Sequence, residues 1–322
     1  MRLSSFLVAY LFFCPVSLLL AQEIVSPNGH FAMRFSLDAS GAPTYQLDFK
    51  DQPVIKSSRL GFDLINDSVD LQIGFRVLET DTTSQDETWN PVWGEESEIR
   101  NHYRELLVKL EQVSTERKLI IRFRLFDSGL GFRYEFPMQE AMGHFAIAEE
   151  LTEFAMAGDH TAFWIPGDYD TQEYDYTESK LSEIRDLMES AITPNASQTP
   201  ILETAVQTAL MMKSEEGLYI NIHEAALIDY AAMHLELNDE QMIFQSHLTP
   251  DAQGVKGYLY TPAQSPWRTV IVGESGTDIL ASRITYNLNE PSKIEDTSWI
   301  KPMKYGSLVG DDYRAKHLGV YR

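Results

Sequence analysis

Residues 119–136 read LIIRFRLFDSGLGFRYEF, and two strands joined by a tight turn are written in them. Leu119, Ile121, Phe123 and Leu125 alternate with Ile120, Arg122 and Arg124, and Phe132, Tyr134 and Phe136 alternate with Arg133 and Glu135. Period two is the repeat of a pleated strand that lays one face on a core. Asp127-Ser128-Gly129 supplies turn formers and a glycine able to take positive φ. The pattern extends in both directions. Phe31, Met33, Phe35 and Leu37 alternate with small or polar residues, and Tyr45, Leu47 and Phe49 do so after a turn marked by Gly41 and Pro43. Leu106, Val108 and Leu110 form another set, and later strands are expected near 218–223, 242–247, 255–261 and 267–272. Helical spacing is confined to Leu181, Ile184, Leu187, Met188 and Ile192, and to a short segment capped by Asp278 that carries Ile279, Leu280 and Ile284. Many short strands separated by turn signals predict an all-β chain, a large β-sandwich with a short helix near the C-terminus.

Composition narrows the function. The 322 residues carry a formal charge of −22, so phosphates would be repelled over the whole surface and a nucleic-acid partner is excluded. Neutral oligosaccharides and cations such as Ca²⁺ stay open. Arg2 followed by an apolar run from Leu3 to Leu20, with a cleavage point after Ala21, predicts a signal peptide over residues 1–21 and an exported chain, periplasmic or secreted. Ser4, Ser5, Pro15 and Ser17 interrupt the run, so no stable membrane span is expected once the signal is removed. The only cysteine, Cys14, lies inside that signal. Disulfides, thiol catalysis and zinc–thiolate sites are thereby excluded from the mature chain.

Chemistry-bearing motifs are sparse. No Gly-rich phosphate loop, nucleophile elbow or paired-histidine metal spacing occurs. Carboxylates are abundant, and Asp168-Tyr169-Asp170 through Asp175 could supply the two that glycoside hydrolysis needs, although a solvated acidic loop is the plainer reading. Glu224 ends an apolar strand in Ile222-His223-Glu224-Ala225, where a hard oxygen ligand would suit Ca²⁺. Trp89, Trp93, Trp164, Trp267 and Trp299 could stack on sugars or fill the core.

Several stretches, in order, resemble glycoside hydrolase family 97. They are Ser26-Pro27-Asn28-Gly29, then Ser57-Ser58-Arg59-Leu60-Gly61. Glu87-Thr88-Trp89-Asn90-Pro91-Val92-Trp93-Gly94-Glu95 follows and runs on to Asn101-His102-Tyr103-Arg104-Glu105-Leu106. After it come Phe126 to Tyr134, Trp164-Ile165-Pro166-Gly167-Asp168-Tyr169, Glu224 to Tyr230, Pro266-Trp267-Arg268-Thr269 and Asp296-Thr297-Ser298-Trp299-Ile300-Lys301-Pro302. The resemblance implies an N-terminal β-supersandwich like galactose mutarotase folds, over residues 22–285, and a linker over 286–302. That linker would lead toward a catalytic (β/α)₈ barrel. The resemblance also implies α-glucosidase or α-galactosidase activity on oligosaccharides, and a Ca²⁺ ion at the active site to which Glu224 would contribute one ligand. No catalytic residue is expected in this chain, because the family's acid and its base or nucleophile lie on the barrel.

Residues 303–322 depart from the family. Met303 stands where a glycine is expected, and Tyr305-Gly306-Ser307-Leu308 has no tryptophan. From Ile300 onward Lys301, Lys304, Arg314, Lys316 and Arg322 face only Asp311 and Asp312, a positive tail on an acidic protein. The expectation is a truncated or frameshifted reading frame with the barrel missing. Two alternatives stand beside it. One is a free-standing carbohydrate-binding module. The other is a mutarotase-like isomerase, against which His223 and Glu224, as neighbours on a strand, point to opposite faces. His102, Tyr103 and Trp164 are further candidates to line a shared cleft.

Overall fold

The computed structural model describes residues 21–304 except 66, 202 and 302. The expected signal peptide short of Ala21, and the expected tail beyond Lys304, lie outside the described residues. Among the described residues, no helix is long and apolar enough to cross a membrane.

The hairpin forms as its alternation dictates. Lys118–Phe126 and Gly129–Phe136 pair antiparallel, with Phe123 opposite Phe132 and Phe126 opposite Gly129. Leu119, Ile121, Phe123, Leu125, Phe132, Tyr134 and Phe136 are all buried, while Arg122, Arg124, Arg133 and Glu135 keep partial exposure on the other face. Gly129 is required by close approach as well as by its φ of +147°. A Cβ there would lie 2.1 Å from the carbonyl oxygen of Val270 on the next strand.

This hairpin is the centre of a ten-stranded antiparallel sheet. From one edge its strands run Thr177–Lys180, Thr161–Trp164, Leu210–Lys213, Tyr219–Ala225, Trp267–Gly273, Gly129–Phe136, Lys118–Phe126, Ile99–Gln112 and Phe75–Trp89, with Ala263–Gln264 also paired to Gly129–Phe136. An eight-stranded sheet faces it, in the order Gln22–Val25, Phe31–Leu37, Pro43–Phe49, Gln52–Arg59, Glu153–Met156, Ile243–Leu248, Met233–Asn238 and Ala205–Gln207. A third sheet of Gly257–Tyr260, His144–Glu150 and Phe62–Leu64 lies beside them. The fold is therefore the all-β sandwich that the alternation predicts. Aromatic rings lock the two large sheets face to face. Tyr45 meets Phe132 at 4.9 Å, Phe35 meets Phe123 at 5.9 Å, and Phe132 meets Phe154 at 6.2 Å between centroids. Such pairs contribute roughly 0.5–1.5 kcal/mol each beyond their buried area.

The helices differ slightly from expectation. Leu181–Glu183 is a 3₁₀ turn that leads into an α-helix over Ile184–Ala191, close to the expected span. Near the C-terminus, Ser275 rather than Asp278 occupies the N-cap of the helix Gly276–Ala281. Asp278 sits one turn in, and its carboxylate accepts from the Ser275 backbone N–H at 2.8 Å, as in a capping box. Ile284 belongs to a separate turn, Ile284–Asn287. That turn is packed down. A Cβ on Gly131 would meet Leu288 at 2.6 Å, and Asn287 bonds both the Trp89 indole at 2.9 Å and the Arg100 carbonyl at 2.9 Å. Packing thus reaches Leu288, which is buried against Gly131.

Candidate functional site

Strand Tyr219–Ala225 lies against Trp267–Gly273, with Glu224 opposite Arg268. In Trp267–Gly273 the alternation puts Arg268, Val270 and Val272 on one face. That face is the sandwich interior, so a guanidinium enters the core, and Arg268 is 0% exposed. An isolated charge there would cost far too much, so its partners are built in. Arg268 Nε and Nη2 donate to the two oxygens of Glu150 at 2.8 and 2.7 Å, and Nη1 donates to Glu224. The Glu150 carboxylate also accepts from Thr152 Oγ1 at 2.7 Å and from the Tyr230 hydroxyl at 2.9 Å. The second Glu224 oxygen accepts from the Met233 backbone N–H at 3.1 Å. Burial alone would push the Glu150 carboxyl up, but the Arg268 charge and these hydrogen bonds outweigh it and hold Glu150 below the usual carboxylate range. Arg268 is held above the ordinary arginine value, because the Glu150 charge and its hydrogen bonds overcome burial. The cluster fastens strands of both large sheets and of the three-stranded sheet at one point.

The other face of the ten-stranded sheet carries a second cluster, on Ile99–Gln112, Lys118–Phe126 and Gly129–Phe136, joined by Trp267 from the strand of Arg268. Arg122 bridges Glu105 and Glu135, Arg124 reaches Glu105 at 2.8 Å, and Arg133 reaches Glu135 at 2.9 Å. Arg124 and Arg133 both lie over the Trp267 ring, at 4.8 and 4.5 Å from its centroid. For Glu135, burial pushes up while Arg122 and Arg133 pull down, and the arginines win.

The expected acidic loop is more ordered than a solvated one. Asp168 is buried, and its carboxylate accepts from the backbone N–H of Asp170, Thr171 and Thr199 and from the Tyr174 hydroxyl at 2.7 Å. Asp170 accepts from Thr199 and Ser197 hydroxyls, while Asp175 stays exposed. Asp168 is thus the organiser of its own turn. Trp164 and Trp267 are core residues, Trp89 is half-buried, and Trp93 and Trp299 are exposed. His102, Tyr103 and Trp164 do not share a cleft. Trp164 lies near the opposite edge of the ten-stranded sheet from the strand of His102 and Tyr103, bonded to Ser179 at 3.0 Å.

Ca²⁺ takes about six to eight oxygen ligands. Glu224 has both oxygens engaged and a buried cation against one of them. Among the described residues, no group of three or more His, Cys, Asp or Glu side chains could hold a metal ion. Within this chain Glu224 is therefore a single carboxylate already paired with Arg268, and its expected part as one Ca²⁺ ligand would need further oxygens from outside the described residues.

The sequence profile of the glycosyl-hydrolase 97 N-terminal family matches residues 24–291. The chain belongs to glycoside hydrolase family 97. A retaining α-galactosidase of Bacteroides thetaiotaomicron is 25% identical over an alignment of 312 positions that covers 90% of this chain and 45% of that protein. A family 97 enzyme of Pseudoalteromonas sp. strain K8, solved with acarbose, superposes with a TM-score of 0.77 at 34% identity, over 87% of this chain and 40% of that one. A β-arabinopyranosidase structure, at 17% identity and a TM-score of 0.65, shares the fold alone. The family 97 chain described here spans less than half the length of these relatives.

Sequence reasoning named Glu224 but not its partners. Arg268 and Glu150 were readable in principle. Arg268 takes the inward register with Val270 and Val272, and an inward charge demands a buried counter-charge.

Proposed function

We propose that this chain serves as the non-catalytic N-terminal scaffold of an exported family 97 α-glycosidase acting on α-linked galactosides or glucosides. The hydrolytic carboxylates would lie on a catalytic barrel that packs against this domain. The observation that carries the reading is how the chain's own carboxylates are used. Glycoside hydrolysis needs two carboxyl groups facing one bond, roughly 5–10 Å apart, one of them able to give up a proton. Here Glu150 and Glu224 share Arg268, Glu105 and Glu135 are clamped by Arg122, Arg124 and Arg133, and Asp168 is spent on its own turn. A carboxylate held ionised by a guanidinium is a poor general acid.

Two further observations support the scaffold reading. Trp299 and Met303 are 66% and 76% exposed in the segment after the packed domain, apolar surface that suits burial against a neighbouring module. The relatives' names, an α-galactosidase and an enzyme solved with acarbose, support the substrate class.

The test is a hydrolysis assay on 4-nitrophenyl α-galactoside, 4-nitrophenyl α-glucoside and panose. This chain alone is expected to give no turnover. Turnover that disappears in Glu150→Gln or Glu224→Gln, with the fold retained, would overturn the scaffold reading.

A further inference from the structure

The three-stranded sheet ends in the edge strand Gly257–Tyr260, which pairs with His144–Glu150 so that His144 lies opposite Tyr260 and Ala146 opposite Tyr258. Alternate residues of a strand share a face, and so do residues directly opposite each other in an antiparallel pair. Tyr258, Tyr260, His144 and Ala146 are therefore on one face. Leu259, Phe145 and Ile147 are on the other, where Ile147 is buried and Phe145 and Leu259 pack on the core. The first face looks outward: Tyr258 is 66% exposed, Tyr260 is 55% exposed, and His144 is exposed. Single exposed tyrosines are ordinary. These two are held in place. The Tyr260 ring lies against the His144 ring, 4.3 Å between centroids with the planes at 41°. The Tyr258 hydroxyl donates to Asp251 Oδ2 at 3.1 Å, and Asp251 Oδ1 is itself fixed by the N–H groups of Gln253 and Val255 at 2.8 and 2.9 Å.

We propose that Tyr258 and Tyr260 form a surface platform for a neutral glycan chain, with the Asp251 carboxylate and the His144 ring at its rim to meet sugar hydroxyls. A phenol ring has an apolar face and a polar edge, and so does a pyranose. Two positions along a strand are about 7 Å apart, so successive sugar rings of one chain can take one tyrosine each. A strand that is paired along its length and tethered at both rings offers this surface with little ordering left to do on binding. Charge favours a neutral ligand. Asp251 and the formal charge of −22 oppose a polyanion. The neighbouring cation, Lys256, is not free for an anion, since its ammonium donates to the Leu248 carbonyl and pairs with Glu149 at 3.2 Å, with His247 at 3.4 Å. Such a site would hold an oligosaccharide by units other than the one cleaved. The inference rests on the scaffold reading only for its choice of a glycan as ligand.

The experiment titrates the full chain with maltoheptaose, panose and raffinose, by calorimetry and by saturation-transfer NMR. Saturable binding of at least one of them is expected. Tyr258→Ala and Tyr260→Ala should each weaken it at least about tenfold while leaving the melting temperature unchanged, because both rings are exposed. Tyr260→Phe keeps the ring and should bind as the wild type does. Tyr258→Phe keeps the ring but loses the tether to Asp251, and it should fall between the wild type and Tyr258→Ala. Trp93→Ala, exposed on another sheet's margin, should change nothing. No saturable binding up to about 50 mM, or binding that persists in the double variant Tyr258→Ala/Tyr260→Ala, would overturn the proposal. So would a wild-type chain that is dimeric beside a double variant that is monomeric, since the rings would then be docking a second copy. Because the readout is binding to this chain, either failure leaves the scaffold reading intact, whereas turnover in the assay above would sink the scaffold and leave this platform standing.

Discussion

Arg268 and Trp267 are neighbours in one strand, and the two ion clusters they belong to lie back to back on one sheet. Inside, Arg268 is wholly buried and bound to two carboxylates. Outside, Arg122, Arg124 and Arg133 keep 12–21% of their side-chain surface and share Glu105 and Glu135 over an indole ring. The residue types are the same, and burial alone sets them apart. The inner group cannot lose a member without leaving a charge in a medium that does not solvate it, whereas water and salt can partly replace any member of the outer one.

That contrast can be broken or sharpened by substitution. Arg268→Ala, which strands two buried carboxylates, should lower the unfolding free energy by about 3–5 kcal/mol in urea titrations, with little dependence on salt. Glu224→Gln keeps the bidentate Arg268–Glu150 pair and an acceptor for Met233, so about 1–3 kcal/mol should be lost. Under the same conditions, added CaCl₂ should leave the wild-type melting temperature unchanged, since a ligand that bound the folded state would raise it. Arg133→Ala on the outer face should cost about 1 kcal/mol, shrinking as NaCl is raised. A loss equal to that of Arg268→Ala would show that burial is not what separates the two clusters.

The smallest expected effect is in pH. Burial depresses His160, His223 and His234 below the ordinary value of 6.5. The unfolded chain therefore takes up protons that the folded chain refuses as pH falls below about 6.5, and stability falls with it. Carboxylates held low, such as Glu150 and Glu135, add their own loss only below the usual Glu value of about 4.5. Melting temperature should therefore decline between about pH 6.5 and pH 5, and His160→Leu should flatten that part of the curve.

Local pattern made the fold legible. Leu119 to Phe136 and Phe31 to Phe49 carry their register in their own alternation, because strand pairing there joins neighbours in sequence. The inner cluster depends on pairings 118 and 44 positions apart, which no short window contains. Glu224 was visible as a strand-end carboxylate, but its role follows from what lies opposite it, and only the register of two distant strands shows that. The short C-terminal helix was legible as to place and not as to cap, since Ser275 and Asp278 are both good capping residues and the backbone decides between them.

The ten-stranded sheet ends in Phe75–Trp89, fifteen residues long and exposed along most of its length. Such an edge is an invitation to any second strand, including one from another copy of the chain. Glu79, Asp81, Asp86 and Glu87 are spaced along it, and the pairing with Ile99–Gln112 slips between Val77 and Glu79. Glu79 and Asp86 are tied to Lys109 and Arg100 on the neighbouring strand, so Asp81 and Glu87 are left to oppose a second edge, and the slip spoils a straight match. A second copy that joined this edge would have to bury the charges of Asp81 and Glu87 against its own.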